Sequence, residues 1–411
     1  MKKYNLIVVG GGLAGVAAAV SGAREGLSVL LVEKFGCLGG AMTNSLVYPF
    51  MEFATRDGKI LSAGIFSEML ERKKKYKDTS WESYKCVFDD MAVEAGVDVL
   101  FHATVFEAKT EGRQIKSVSV ATKSGVMEFE ADYFIDCSGD GELIAMTNCD
   151  HQLGRESDGL SQPMTTCFRV CGVDVELYDS ERPMLQEKYA KLQAEKKIIN
   201  PRENILVFYG YGKGIVHFNT TRIVKHNPVD AVEIGKAEML ARKQIMEMMD
   251  FLKENSKAFK DATLVSVASH IGVRESRKLK GVHILTADEL TSCMDFEDTI
   301  ALGNYDIDIH NPAGTGTTII HIPLNQYYKI PYRTLLPKEY DNMLVAGRCL
   351  SATHEAHSSV RIMPICACLG EAAGTAAALA HNTNKNAHTV DIKALRTRLK
   401  KMVLHCKEIR K

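Results

Sequence analysis

The chain has 411 residues, of which 45% are hydrophobic and 25% are charged, as expected for a globular protein with a large buried core. Basic and acidic residues number 51 each, so the overall charge favours neither nucleic acid nor an anionic membrane as a partner. The 11 cysteines include no CxxC pair and no metal-type spacing with histidine. This pattern predicts reduced structural thiols, no metal site and a cytoplasmic protein.

Two further exclusions concern membranes. The N-terminal apolar run breaks at Gly10-Gly11-Gly12, where a signal peptide would continue its apolar core. No run reaches the roughly 18 consecutive apolar residues that a membrane span needs. We therefore expect no signal peptide and no membrane span.

The first predicted elements form a β-α-β unit, with strands over 4–9 and 28–32 around an alanine-rich helix over 13–25. This unit is typical of a doubly wound parallel sheet. Helices are predicted next over 62–77 and 84–94. Five strands should follow, over 98–101, 105–110, 115–122, 126–130 and 133–137.

The middle of the chain has shorter apolar runs and one long amphipathic helix over 229–253, whose apolar stripe we interpret as core packing. Two glycine-rich stretches, 210–214 and 314–316, lead into no helix and are interpreted as turns. After 332, a strand over 343–346 and a small-residue helix over 369–380 restore the character of the first region. We predict an α/β fold in which an α+β substrate domain (161–331) is inserted into a Rossmann-type domain (1–160 and 332–411).

The segment Gly10-Gly11-Gly12-Leu13-Ala14-Gly15 matches the GxGxxG pattern between the first strand and the first helix. Such glycines make the tight turn, let the backbone approach a pyrophosphate and let the helix pack closely on the strand. Glu33 ends the second strand 18 residues after Gly15, where a carboxylate can accept hydrogen bonds from ribose hydroxyls. The arrangement predicts a dinucleotide site.

NAD would satisfy this unit equally well, but three further segments favour FAD. A glycine-rich loop at 38–43 follows Glu33-Lys34, and a strand over 131–137 leads into the small-residue turn Ser138-Gly139-Asp140. Near the C-terminus, 342–348 has the same pattern of a strand that leads into a turn. Together they resemble the glutathione-reductase-like flavoproteins. The stretches 273–277, 330–333, 347–354 and 359–364 are similar to the bacterial FAD-dependent oxidoreductases.

The resemblance implies that FAD is the cofactor and that it lies against residues of all these segments. The implied FAD-contacting residues are Gly10, Gly12, Leu13, Ala14, Gly15, Glu33, Lys34, Gly39, Gly40, Ala41, Met42, Thr43, Val105, Ser138, Gly139, Asp140, Gly347, Arg348, Gly370 and Ala373. It also implies that 370–374 opens a helix whose positive end stabilises the negative charge of reduced flavin.

Candidate catalytic residues are polar groups that the same pattern brings toward the flavin. We expect His354 or His310 to transfer a proton, and Arg274 or Arg361 to anchor an anionic substrate. A buried ion pair between Glu275 and Arg277 is the structural interpretation of that segment.

The leading functional hypothesis is a FAD-dependent dehydrogenase that transfers hydride between a small polar substrate and flavin N5, with an external electron acceptor. The chain has no second strand–GxGxxG–helix unit and no CxxxxC after Gly40, which argues against a built-in NAD(P)H domain. A flavin-dependent monooxygenase and a non-catalytic FAD-binding scaffold are the alternatives. The substrate, the acceptor, the oligomeric state and covalent attachment of FAD stay open.

Overall fold

A computed structural model describes residues 2–78 and 80–400. The strands are β1 (Lys2–Val9), β2 (Val29–Val32), β3 (Asp98–Leu100), β4 (Thr104–Glu111), β5 (Gln114–Thr122), β6 (Gly125–Asp136), β7 (His151–Leu153), β8 (Phe168–Cys171), β9 (Val207–Phe208), β10 (Val216–Phe218), β11 (Thr263–Val267), β12 (Arg277–Leu279), β13 (Thr299–Gly303), β14 (Ile307–His310), β15 (Thr317–Ile320), β16 (Tyr328–Pro331) and β17 (Met343–Val345). The α-helices are α1 (Leu13–Arg24), α2 (Ile65–Lys73), α3 (Tyr84–Ala95), α4 (Glu142–Met146), α5 (Val175–Ala194), α6 (Ala231–Asn255), α7 (Ala287–Thr291), α8 (His354–Val360), α9 (Met363–Asn382) and α10 (Ile392–Lys400).

The largest sheet joins the first third of the chain to a late strand. Its parallel part runs in the order β3-β2-β1-β6-β17, and the antiparallel strands β5 and β4 continue from the first half of β6. Strand β17 pairs with β6 from Met343 opposite Phe134 to Val345 opposite Asp136. The predicted Rossmann-type α/β class, with a late return to the first sheet, is confirmed.

Strand β6 differs from the prediction of two separate strands over 126–130 and 133–137. It is continuous from Gly125 to Asp136, so the two-strand prediction is wrong. The reason is a change of neighbours along one strand: residues 125–130 pair antiparallel with β5, and residues 129–136 pair parallel with β1. The polar residues near 130–132 lie at this change and do not mark a turn.

Helices α1 and α9 form the centre of the main core. A side chain at Gly370 would overlap the carbonyl of Ala14, and one at Gly374 would overlap the carbonyl of Ala18, so the two backbones touch. Helix α9 is long and apolar enough to cross a membrane by length and composition, but 89% of that stretch is buried inside the protein. It is the core helix that packs on α1.

The region between 160 and 331 contains a second sheet in the order β11-β8-β10-β9. Helices α5 and α6 pack against it, and the stripe of α6, with Ile245, Met248 and Leu252 buried, confirms core packing. Helix α5 was not predicted. Both glycine-rich stretches are turns as predicted, since 210–214 joins antiparallel β9 and β10 and 314–316 joins antiparallel β14 and β15.

The exact division of the chain at 160 and 331 stays a prediction. Strand β12 pairs with β7 across the first of these boundaries, so the two regions are tied together by backbone hydrogen bonds. Residues 401–411 of the third predicted segment lie outside the described residues.

Candidate active site

A cavity of about 510 Å³ lies where the carboxyl ends of β1, β2, β6 and β17 face the second sheet. Cavities of this kind at the carboxyl edge of parallel strands are the usual ligand sites of open α/β sheets. One end is lined by the glycine-rich segments and the other by residues of the 160–331 region. Most of the implied FAD-contacting residues line it, namely Gly10, Gly12, Leu13, Ala14, Glu33, Lys34, Gly39, Gly40, Ala41, Val105, Ser138, Gly139, Asp140, Gly347 and Arg348.

The first glycine turn leaves an open groove over Gly12, which precedes α1. The nearest atom to a side chain built at Gly12 would be the Gly40 Cα at 3.9 Å, so that side chain would project into the cavity. The Gly39 N–H donates to the Gly11 carbonyl over 2.8 Å and holds the second glycine-rich loop alongside the first. Two facing glycine loops and the start of a helix make a cradle that accepts a pyrophosphate.

Glu33 lies at the end of β2, buried at the floor of the cradle. Its carboxylate accepts the Gly11 N–H over 2.6 Å and the Phe35 N–H over 2.8 Å. Burial raises the pKa of Glu33, while the two backbone N–H groups favour its charged form. A carboxylate with lone pairs to spare at this position can accept hydrogen bonds from ribose hydroxyls.

Charged residues at this end of the cavity are paired with one another. Arg348 donates to Asp140 over 2.8 Å and to the Ser276 hydroxyl over 2.8 Å, and Lys34 donates to Glu142 over 3.0 Å. These pairs join segments that are far apart in sequence. They fix the cradle and leave recognition of the cofactor mainly to the backbone.

Helix α9 begins at Met363, so the prediction that 370–374 opens it is wrong. No side chain caps its N-terminus at Ile362, and Ile362, Met363 and Cys366 line the cavity. An uncapped helix N-terminus carries positive partial charge and unpaired N–H groups. The charge stabilisation expected for reduced flavin is therefore available here, seven residues before Gly370.

Five of the implied FAD-contacting residues lie behind the cavity wall. Gly370 and Ala373 are buried in the middle of α9, where Gly370 packs against α1. Gly15 allows α1 to contact the carbonyl of Gly10, the packing role expected of a third glycine. Met42 is buried in the main core, and the Thr43 hydroxyl donates to the Leu38 carbonyl over 2.7 Å.

The other end of the cavity is rich in arginine. Arg274 and Arg361, both predicted, line it together with Arg202, and Arg222 lies directly behind His310. Arg274 donates to the Pro163 carbonyl and the Thr165 hydroxyl, each over 2.6 Å. Burial, and next to it the charges of the neighbouring arginines, lower the pKa of Arg274 to about 9.

His310 lines the same end and has a defined tautomer. Its Nδ1 lies 3.2 Å from Arg222 and 3.2 Å from the Thr317 hydroxyl, while its Nε2 lies 3.4 Å from Asp308. A guanidinium can only donate, so Nδ1 accepts and the ring proton is on Nε2. Burial, and next to it the charge of Arg274, lower the pKa of His310 to about 3.

Asp308 completes this chain of polar groups. It accepts a hydrogen bond from the Tyr305 hydroxyl over 2.8 Å. Burial alone would raise its pKa, but the hydrogen bond to His310 and the charge of Arg361 outweigh that effect and hold the pKa below its usual value. Asp308 is therefore ionised, and Thr317, His310 and Asp308 form a continuous hydroxyl–imidazole–carboxylate series.

His354 has a different environment from His310. It is buried outside the cavity wall, with Nδ1 2.8 Å from Glu275, and Glu275 also pairs with the buried amine of Lys278. The predicted pair of Glu275 with Arg277 is wrong, because Arg277 donates to the Asp140 carbonyl over 3.1 Å. His354 and Lys278 overcome the cost of burial and lower the pKa of Glu275 to about 2.

Five residues of this end were not predicted: Arg202, Arg222, Tyr305, Asp308 and Thr317. Asp308 could have been predicted from the sequence. Residues i and i+2 of a strand share a face, and His310, two residues later, was already a candidate. The two arginines and Thr317 come from separate loops and strands, and their local sequence gives no indication that they meet.

Comparison with known proteins identifies the family of this chain. The family model of FAD dependent oxidoreductases matches residues 5–399, and the chain belongs to that family. The protein therefore uses FAD as its cofactor.

Curated relatives match parts of the chain. Digeranylgeranylglycerophospholipid reductase 2 of Methanothermobacter thermautotrophicus is 30% identical over 42% of this chain and 48% of that protein. The mitochondrial dihydrolipoyl dehydrogenase of Schizosaccharomyces pombe is 31% identical over 29% of this chain and 24% of that protein. The matches thus span about half or less of the relatives' lengths.

A solved structure of a geranylgeranyl bacteriochlorophyll reductase-like protein from Thermoplasma acidophilum aligns over 98% of this chain and 84% of that chain. The TM-score is 0.49 and the identity is 13%.

Proposed function

We propose that this protein is a FAD-dependent dehydrogenase that oxidises a small anionic substrate and passes the electrons to an external acceptor. The observation that carries the proposal is one cavity with the FAD cradle at one end and, at the other, arginines beside the Thr317–His310–Asp308 series. FAD, when bound, supplies the acceptor for a hydride. The protein must bind the anion, orient its C–H bond and remove a proton.

Anion binding falls to the guanidinium groups. Arg274 uses one terminal nitrogen for Pro163 and Thr165. The guanidinium group of Arg361 makes no hydrogen bond or ion pair with a described residue, and its buried Nε has no partner among them. The remaining N–H groups of both face a cavity where water is limited, and there a guanidinium binds a carboxylate with two parallel hydrogen bonds. The substrate is thereby held in one orientation.

Proton removal falls to Thr317 and His310. In the oxidation of an alcohol, the C–H bond breaks with its electron pair leaving as hydride, and the O–H proton passes to the Thr317 oxygen. The proton of Thr317 passes to Nδ1 of His310, and Asp308 stabilises the resulting charge through Nε2. Arg222 stays held by the carbonyls of Gly314 and Gly316 when Nδ1 no longer accepts from it.

The base is strongest when substrate is bound. The charge of Arg274 lowers the pKa of His310, and an anion bound to Arg274 cancels that charge and raises the pKa. In the free enzyme the pKa of about 3 predicts that kcat/KM has no acid limb from His310 above about pH 5. An acid limb near pH 6.5 that disappears in His310→Gln would contradict the lowered pKa of His310 in the free enzyme, whereas an unchanged rate in His310→Gln would contradict its role as the base.

The test is anaerobic titration of the FAD-loaded protein with small carboxylates and hydroxy acids, following the bleaching of flavin absorbance. Two relatives are named reductases or dehydrogenases, and hydride transfer is reversible, so keto and unsaturated acids are tested against dithionite-reduced protein. Re-oxidation by an artificial dye should complete the cycle.

Two outcomes would replace the proposal. NAD(P)H consumption with oxygen uptake and a hydroxylated product would indicate a monooxygenase. Flavin that no small reductant reduces would indicate a non-catalytic scaffold.

A further inference from the structure

The charges at the substrate end of the cavity do not balance. Four guanidinium groups, those of Arg202, Arg222, Arg274 and Arg361, meet two carboxylates, those of Glu203 and Asp308. His310 adds no charge, because its Nδ1 accepts a hydrogen bond from Arg222. Within the described residues, this end therefore has an excess of two positive charges.

Arg222 is the one guanidinium whose charge and donors are used by the protein. It is 1% exposed, pairs with Glu203 at 3.2 Å, and donates to the carbonyls of Gly314 and Gly316. Its contacts fix the β14–β15 hairpin and orient His310. Arg222 and Glu203 thus neutralise each other and belong to the framework of the site.

The other three guanidinium groups keep donors for a ligand. Arg202 is buried and uses Nε for Asn204 over 2.9 Å, with no hydrogen bond from its terminal nitrogens to described residues. The buried Nε of Arg361 has no partner in the described part of the chain. Asp308 offsets one of the three charges, and its contacts with Tyr305 and His310 show that it serves the proton relay.

Uncompensated guanidinium groups in an enclosed cavity repel one another. Arg361, Arg202 and Arg222 each disfavour the charged form of Arg274, in that order of effect. A ligand with two negative charges would remove this repulsion, whereas a monoanion would leave one positive charge unmatched and a neutral ligand would leave both.

We propose that the substrate is a small dianion, with one negative group held by Arg274 and Arg361 and the rest of its charge by Arg202. This inference rests on the proposed dehydrogenase function and adds the charge of the substrate to it. Two carboxylates and one phosphate monoester are the two sources of such a charge, and the experiment separates them.

The experiment measures binding and not turnover. FAD-loaded protein is titrated with succinate and with butyrate, which share a four-carbon chain, and with inorganic phosphate against nitrate, following the perturbation of flavin absorbance. We expect a dianion to bind at least about tenfold tighter than its monoanionic counterpart. Succinate showing this preference indicates a dicarboxylate, and phosphate showing it indicates a phosphate monoester. Equal binding within both pairs would overturn the proposal.

Arg202→Gln tests the assignment of the second charge, with Arg242→Gln on the exposed face of α6 as the matched control. The Arg202 variant should lose the preference for the dianion and keep the affinity for the monoanion. Arg202→Lys retains the charge and should keep the preference for the dianion, and FAD content and melting temperature show that each variant is folded. An unchanged preference in Arg202→Gln would overturn the role of Arg202.

The two proposals fail in different ways. A dianion that binds tightly, while no member of its class is oxidised or reduced, contradicts the dehydrogenase and leaves the charge assignment standing. Rapid flavin reduction by a neutral or singly charged substrate, unaffected by Arg202→Gln, contradicts the charge assignment and leaves the dehydrogenase standing.

Discussion

The two ends of the cavity differ in how their charged side chains are used. At the FAD end the charged side chains are paired with each other, as in Arg348 with Asp140 and Lys34 with Glu142, and glycine backbone faces the ligand. At the substrate end Arg202, Arg274 and Arg361 keep donors that no described residue uses.

The difference follows from what each end must do. A cofactor that stays bound can be held by shape complementarity and by backbone dipoles. Backbone dipoles carry no net charge, so no charge has to be neutralised when the ligand is absent. A substrate that enters and leaves needs a strong but reversible attraction, and unpaired guanidinium groups provide it. The excess of positive charge at the substrate end is therefore a property of the site and not a general property of the fold.

The largest effect should come from closing the backbone cradle. Gly12→Val places a branched side chain in the groove beside Gly40, and we expect complete loss of flavin from the purified protein. Gly235→Val on α6, where a side chain meets nothing within 4 Å, is the control and should retain flavin. Yellow protein from the Gly12 variant would contradict the placement of the pyrophosphate.

The two histidines provide the next comparison. His310→Gln removes the relay and should slow flavin reduction about 100-fold or more, the usual range for a lost general base. His354→Gln should leave the rate within a few-fold and lower the free energy of unfolding by about 1–3 kcal/mol, because the buried carboxylate of Glu275 loses a hydrogen-bond partner. Rapid-mixing kinetics and thermal unfolding check the pair, and reversed effects would restore His354 as the proton-transfer group.

A smaller loss is expected when one anchor is removed. Arg361→Gln should reduce kcat/KM about 10- to 100-fold through a higher KM, since a hydrogen bond to a charged group contributes about 1.5–3 kcal/mol. FAD content should not change, because the FAD end has its own contacts. Arg242→Gln on the surface should have no effect on either quantity. Loss of flavin from the Arg361 variant would show that the two ends are not independent.

The smallest effect concerns a buried carboxylate outside the cavity. Glu371 accepts the Ile65 N–H over 2.9 Å, and burial raises its pKa from 4.5 to about 7. A carboxyl whose pKa is raised on folding contributes its full stability below its unfolded pKa and loses it as pH rises through the folded value. Wild-type protein should thus lose about 1 kcal/mol more than Glu371→Gln between pH 6 and 8.

Denaturant unfolding at both pH values measures this difference. Glu254→Gln at the exposed end of α6 is the control, and its free energy of unfolding should fall between pH 6 and 8 by as much as that of the wild type. An equal fall for wild type and Glu371→Gln would show that Glu371 keeps its charge in the folded protein.

The sequence predicted much of the fold because its strongest signals are local. Buried runs in β1 and β2, the glycine turn between them and the alanine-rich α1 each depend on neighbouring residues. Helix α5 has weaker local signals. Pro183, a residue that disfavours helix in the sequence, lies inside it, and Tyr178, Leu185 and Tyr189 are its only buried residues. Its apolar stripe is therefore too sparse to recognise without the surface that it covers.

The start of α9 was missed for a similar reason. The glycines near 370 look like the opening of a helix, yet they permit the close packing of α9 on α1 in mid-helix. Pro364 lies in the first turn of α9, where the missing N–H of proline breaks no hydrogen bond of the helix. This proline, and not the glycines, marks the start of the helix at Met363.

By itself the sequence determined the cofactor end of this protein: a β-α-β unit, a glycine cradle, Glu33 and a late return to the same sheet. These features lie on contiguous segments, and each has a backbone reason that can be recognised locally. At the substrate end the sequence named Arg274, Arg361 and His310 as candidates, but only the tertiary structure added Arg202 and separated His310 from His354. Charge balance and tautomer depend on groups that are distant in the chain and close in space, and electrostatic energy depends on spatial distance and burial and not on separation along the chain.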